Sequence, residues 1–119
     1  MLWLYLLNVV MLTIHEMDSA YWHEWNLFHM PGGVGVFLML HLPLLIPVVY
    51  GLVLVDRDTY AGQVLSLVIS LTGIFAFSIH TYLIRRGHQE FTTSISLGIL
   101  RITLVISLAQ LVVTLATLT

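Results

Sequence analysis

Apolar residues in this chain come in four long runs, roughly Leu2–Ala20, Val34–Val55, Gly62–Ile84 and Ile95–Leu118, parted by short polar stretches. Each is near the ~20 residues a helix needs to cross a ~30 Å hydrocarbon core. The pattern predicts an all-α, polytopic membrane protein: a bundle of four transmembrane helices forming one domain over residues 1–119. If all four runs cross, the N-terminus, the Asp56–Ala61 loop and the C-terminus share one side, A. The Tyr21–Gly33 and Arg85–Ser94 loops share the other, B.

Within three runs, polar and small residues recur at helical spacing. In the first run, Asn8, Met11 or Leu12, His15, Asp18 or Ser19, and Trp22 define one stripe. In the third, Ser66, Ser70, Gly73, Phe77 and His80 do the same, and the small members permit close helix contact. The fourth carries Thr103, Ser107, Gln110, Thr114 and Thr117. Arg101 lies about 200° of rotation from Thr103 at ~100° per residue, so the two cannot face one cavity. Either Arg101 points inward and the Thr/Ser/Gln face packs on a second protomer, or that face is internal and Arg101 snorkels to side B. The first arrangement is favoured, which predicts a homodimer through the fourth helix.

Local chemistry sets the helix ends. Trp3 and Tyr5 suit an A-side interface, and Tyr21, Trp22 and Trp25 a B-side aromatic belt. Pro31-Gly32-Gly33, Asp56-Arg57-Asp58-Thr59 and Arg85-Arg86-Gly87 read as turns. The Ser19–Met30 stretch either extends the first helix or lies flat on the surface. Pro43 and Pro47 each remove a backbone donor, so a kinked second helix is expected. The first run lacks a basic leader and a small-residue cleavage site, so it is read as a retained helix.

Composition strengthens the membrane class. Hydrophobic residues make up 59% of the 119, charged ones 8%, and the mean hydropathy is +0.99, too little polar surface to cover a soluble globule. A net charge of -2 without a Lys/Arg cluster suggests neither nucleic acid nor anionic lipid as a partner and leaves the lipid bilayer itself. The absence of cysteine excludes disulfides, iron–sulfur clusters and thiolate metal sites.

Charge is one-sided. All six histidines, four of the six acids and three of the four arginines fall in the B half. At 1.5 Å per residue, His41 lies roughly 10 Å inside the B boundary, His80 about 6–8 Å, His15 about 8 Å and Arg101 about 9 Å. Ionisable groups inside membrane spans are costly and usually face a cavity or one another. The expected site is therefore metal-binding, with His15, His41 and His80 as nitrogen ligands. Glu16 and Asp18 supply an oxygen ligand or general base, and Arg101 neutralises an anionic group. Imidazole and carboxylate suit zinc, manganese or iron; haem held by two histidines is a sub-variant. His23, Glu24, His29, His88 and Glu90 are read as solvated loop residues.

Common catalytic signatures are missing: His15-Glu16 and His23-Glu24 both lack the second histidine of H-E-x-x-H, and no G-x-S-x-G or Walker loop occurs. A longer pattern is present instead. His15-Glu16-x-Asp18-Ser19-Ala20-Tyr21-Trp22-x-Glu24-Trp25, then Leu27-Phe28-His29-x-Pro31-Gly32-Gly33, His41-Leu42-Pro43, Gly73-Ile74-Phe75-Ala76-Phe77-x-Ile79-His80-Thr81-Tyr82 and Arg86-Gly87-His88-x-Glu90-Phe91 resemble a family of small bacterial four-helix membrane proteins, catalogued as a domain of unknown function. The resemblance covers most of the chain. It implies a four-span architecture and a bacterial inner-membrane home, and it carries no activity.

Two function classes follow. One is a metal-dependent enzyme acting on a lipidic substrate, with the metal activating water or running redox chemistry. The other is a small carrier or binding protein coupled to protonation of His and Glu, or, without any catalysis, a structural accessory subunit. Arg85 and Arg86 against Arg57 place side B in the cytoplasm by the positive-inside rule.

Overall fold

The computed structural model describes residues 1–118; Thr119, the last residue of the expected domain, lies outside them. All regular structure among the described residues is helical: α1 Leu2–Tyr21, α2 Glu24–Leu27, α3 Gly33–Asp56, α4 Tyr60–Arg85 and α5 Ser94–Leu118. Each apolar run lies within one of the four long helices. The short α2 fills part of the polar stretch that follows the first run.

Helix ends follow the turn chemistry. Gly32 precedes α3 at φ 97°, a left-handed conformation that costs glycine little. Thr59 caps α4: its hydroxyl accepts from the Gly62 amide at 3.0 Å and donates to the Leu54 carbonyl at 2.9 Å. After α1 the chain turns at His23, φ 55°, and starts α2 in a new direction.

Helices α1 and α4 touch along the centre, with α3 and α5 on either side of them and not in contact with each other. The inward surfaces are polar. Asn8, His15 and Ser19 of α1, Ser66, Ser70 and His80 of α4, and Thr103, Ser107, Gln110 and Thr114 of α5 are buried, and buried polar side chains outnumber buried apolar ones among the described residues. The outer surface carries exposed Leu, Val and Ile from every long helix. In water this distribution would be unfavourable; in hydrocarbon it buries what lipid cannot solvate. Three helices, α3, α4 and α5, are long and apolar enough to cross a membrane.

The inward layer has two parts. Toward side A, uncharged amides and hydroxyls tie three helices together. Asn8 Nδ2 donates to Gln110 Oε1 at 2.8 Å, and Ser107 Oγ donates to Asn8 Oδ1 at 3.1 Å. Gln110 Nε2 reaches the Ser66 carbonyl at 2.9 Å and its hydroxyl at 3.0 Å, and Ser66 Oγ lies 2.7 Å from Thr114 Oγ1. Toward side B, the layer becomes imidazole and carboxylate.

This arrangement corrects one expectation. The Thr103/Ser107/Gln110/Thr114 stripe is internal, buried against α1 and α4, and Arg101 is on the outside of α5. Ser107, Gln110 and Thr114 find their hydrogen-bond partners within one chain, whereas the buried Thr103 hydroxyl has none among the described residues. Gly73 makes this possible, because a Cβ there would overlap Ser107 Oγ; α4 and α5 close on each other at that point.

Candidate functional site

Four elements meet at the B end of the bundle. From α1 comes His15, 2% exposed, and from α4 comes His80, 1% exposed; their ring centroids are 4.8 Å apart at 77°. The left-handed turn at His23 swings Glu24, the first residue of α2, back over the pair. Its Oε1 lies 3.2 Å from His80 Nε2. One ligand atom from each of His15, Glu24 and His80 falls within 4.8 Å of the others.

Phe91 closes the group from the α4–α5 connection. It is 1% exposed, with its ring 4.1 Å from that of His80 and 5.9 Å from that of His15. Its backbone is left-handed at φ 65°, uncommon for a bulky residue and costing on the order of 1–3 kcal/mol. An apolar ring thus sits against two imidazoles at the price of local strain.

The imidazole nitrogens are poorly satisfied. His15 Nδ1 and both ring nitrogens of His80 are buried without a hydrogen-bond partner among the described residues. The His80–Glu24 approach has ion-pair distance but not the alignment of an N–H···O bond. Buried polar atoms of this kind are nearly always partnered, by protein, water or an ion. Burial works against the Glu24 charge, yet adjoining His80, the Ser19 hydroxyl and His15 outweigh it and hold the carboxyl below its usual range. Glu24 is therefore ionised, the form a cation requires.

His41 does not join this set. Its Nδ1 lies 2.7 Å from the Phe37 carbonyl and its Nε2 lies 2.8 Å from Glu16 Oε2. The carbonyl can only accept, so Nδ1 carries a proton; Nε2 and the Glu16 carboxyl then share one further proton between them. With both nitrogens engaged, His41 is a proton-holding partner of Glu16 rather than a third imidazole ligand. A cleft of about 220 Å³ joins the two groups, lined by Glu16, Glu24, Trp25, Phe37 and His41 among others. On its other side the Glu16–His41 pair borders an apolar cleft of about 200 Å³ between α1, α3 and α4, with Leu12, Leu44, Leu45, Val48 and Ile69 in its walls.

The remaining expected site residues sit apart. Asp18 accepts from Trp22 Nε1 at 3.1 Å, one turn along, and its Oδ2 is buried without a partner among the described residues. Arg101 neutralises neither Glu16 nor Asp18, because it projects from the outer face of α5 toward a cleft it shares with Arg85. Sequence reasoning missed Glu24 and Phe91. Glu24 is nine positions from His15, and only the reversal at His23 brings it back. Phe91 carried a usable signal, a lone large apolar residue in an otherwise polar loop.

No curated protein and no solved structure matches the chain. A family profile does, described as a family of unknown function (DUF6713), and its match runs over residues 1–117. With nearly the whole length covered, the chain belongs to the DUF6713 family.

Proposed function

We propose that this protein is a membrane-embedded metal-binding protein whose centre is His15, Glu24 and His80, and that it acts on a lipidic substrate. The observation that carries the metal is a pair of buried imidazoles with unpartnered ring nitrogens beside a carboxylate, one ligand atom from each residue lying within 4.8 Å of the others. Two nitrogens and one oxygen suit zinc, iron or manganese and leave coordination positions open. The Glu16–His41 pair, one cleft away, holds a proton where a reacting group would need to gain or lose one. Its second, apolar cleft suits an alkyl chain, and Pro43 and Pro47 relax the α3 backbone along that wall. In this reading α1 also crosses the bilayer, because its polar stripe is covered by α4 and α5, and side B faces the cytoplasm of a bacterial inner membrane.

Elemental analysis of protein purified without chelator tests the centre. The expected result is about one divalent ion per chain, lost in His15→Ala, His80→Ala and Glu24→Gln but kept in His41→Ala. Retention in the first three variants, or loss in the fourth alone, would sink the assignment.

A second reading rests on a specific observation, the two histidine–carboxylate pairs His41–Glu16 and His80–Glu24, whose carboxylates both line one cleft. Such a series suits a proton-coupled carrier. Metal-free wild-type protein whose proton flux in vesicles is lost on Glu16→Gln selects it.

A further inference from the structure

Arg85 and Arg101 take no part in the proposed centre. Arg85 ends α4, and Arg101 lies about 10 Å along α5 from the same membrane side. Both are exposed, and both line a cleft of about 220 Å³ between the two helices, with the half-buried Phe77 and Leu97 in its apolar floor. Among the described residues neither has a carboxylate within ion-pair distance, and the ion pairs all use histidine. Thr81 also lines the cleft. The hydroxyls of Thr72 and Ser78 on the same helix fold back on carbonyls at 2.9 and 2.8 Å. That of Thr81 makes no hydrogen bond among the described residues and remains a donor.

An unpaired guanidinium within a spanning helix requires an anion or a route to water. Two of them in one cleft, with a hydroxyl beside them, match the oxygens of a phosphate, which arginine binds through paired N–H groups. The floor is apolar, and Arg85 at the end of α4 puts one rim of the cleft at the B end of the bundle. A free phosphate would gain nothing from that floor, whereas an acyl chain would cover it. We propose that the α4–α5 cleft binds the phosphate of an anionic phospholipid, held by Arg85, Arg101 and Thr81, with its upper chain against Phe77 and Leu97. Basic pockets between membrane helices recognise headgroups in this way. The inference is independent of the metal centre. It rests on the bundle residing in a bilayer, which carbonate extraction reports separately.

The test uses the full chain in nonionic detergent, offered equal phosphatidylglycerol and phosphatidylcholine, with retained lipid counted by native mass spectrometry. Preferential retention of phosphatidylglycerol is expected. Arg85→Gln and Arg101→Gln should each lower it about fivefold, Arg101→Lys by less, and Arg57→Gln at the opposite end not at all. Circular dichroism verifies that each variant keeps its helices. Equal retention of the two lipids, or undiminished preference in the doubly substituted chain, overturns the proposal. Displacement of the lipid by millimolar inorganic phosphate, itself then retained, assigns the site to the free anion and overturns it as well.

Discussion

Gln110 shows what a single side chain does in this bundle. Its amide accepts from Asn8 and donates to Ser66, so one residue of α5 fastens α1 and α4. Gln110→Leu leaves an Asn8 donor and a Ser66 carbonyl without their partner, in surroundings where water cannot substitute. A loss of about 0.5–2 kcal/mol is expected, read from thermal unfolding in detergent. Asn8→Leu in the same chain should recover part of it, since paired apolar replacement removes the unsatisfied donor. Single residues were unequally legible. His15 and His80 stand on polar stripes whose phase the sequence displays, so their inward direction could be read. His41 has no stripe around it, only Leu40 and Leu42 as neighbours, and its partner is decided by where α3 lies against α1. Glu24 depends on one backbone reversal at His23, which no side-chain pattern announces.

Among the elements, α4 and α5 make the tightest pair. Gly73 faces Ser107, and Thr103 Cγ2 also lies close to the position a Cβ would take. Gly73→Ala is therefore expected to cost about 1–3 kcal/mol through overpacking, measured as a lower midpoint in detergent unfolding. Ser107→Ala added to it removes the overlapping hydroxyl and should restore most of the midpoint; no restoration would show that the helices are not held at this contact. The same contact explains the correction to α5. Sequence periodicity established that Arg101 and the Thr/Ser/Gln stripe face opposite ways. It could not decide which faces inward, because a membrane helix can satisfy a polar stripe within its own chain or against a second copy. The small residues of α4 decide it by admitting α5 closely enough for Gln110 to reach Ser66.

At the scale of the molecule, the chain is apolar outside and polar inside. Exposed side chains such as Leu38, Met39 and Ile46 at 59–68% would hold contiguous apolar surface against water. Cells expressing the protein should yield it in the membrane fraction, resistant to alkaline carbonate and released by detergent. Release by carbonate alone would contradict membrane residence. The interior also divides along its axis: uncharged hydrogen bonds near side A, ionisable groups near side B. The first layer is satisfied by protein alone, while the second leaves buried nitrogens open. A layer that only held helices together would resemble the first.

By itself the sequence determined the helical class, the apolar runs from which the long helices form, and the concentration of histidine and acid toward one end. These depend on run length, periodicity and local breakers, all written within a few turns of chain. Tertiary structure alone decided which ionisable groups meet. His15, Glu24, His80 and Phe91 come from three helices and a loop, and their approach depends on a reversed backbone at His23, a strained one at Phe91 and the fit of α1 against α4. Contacts between distant segments are fixed by packing, which sequence spacing does not encode.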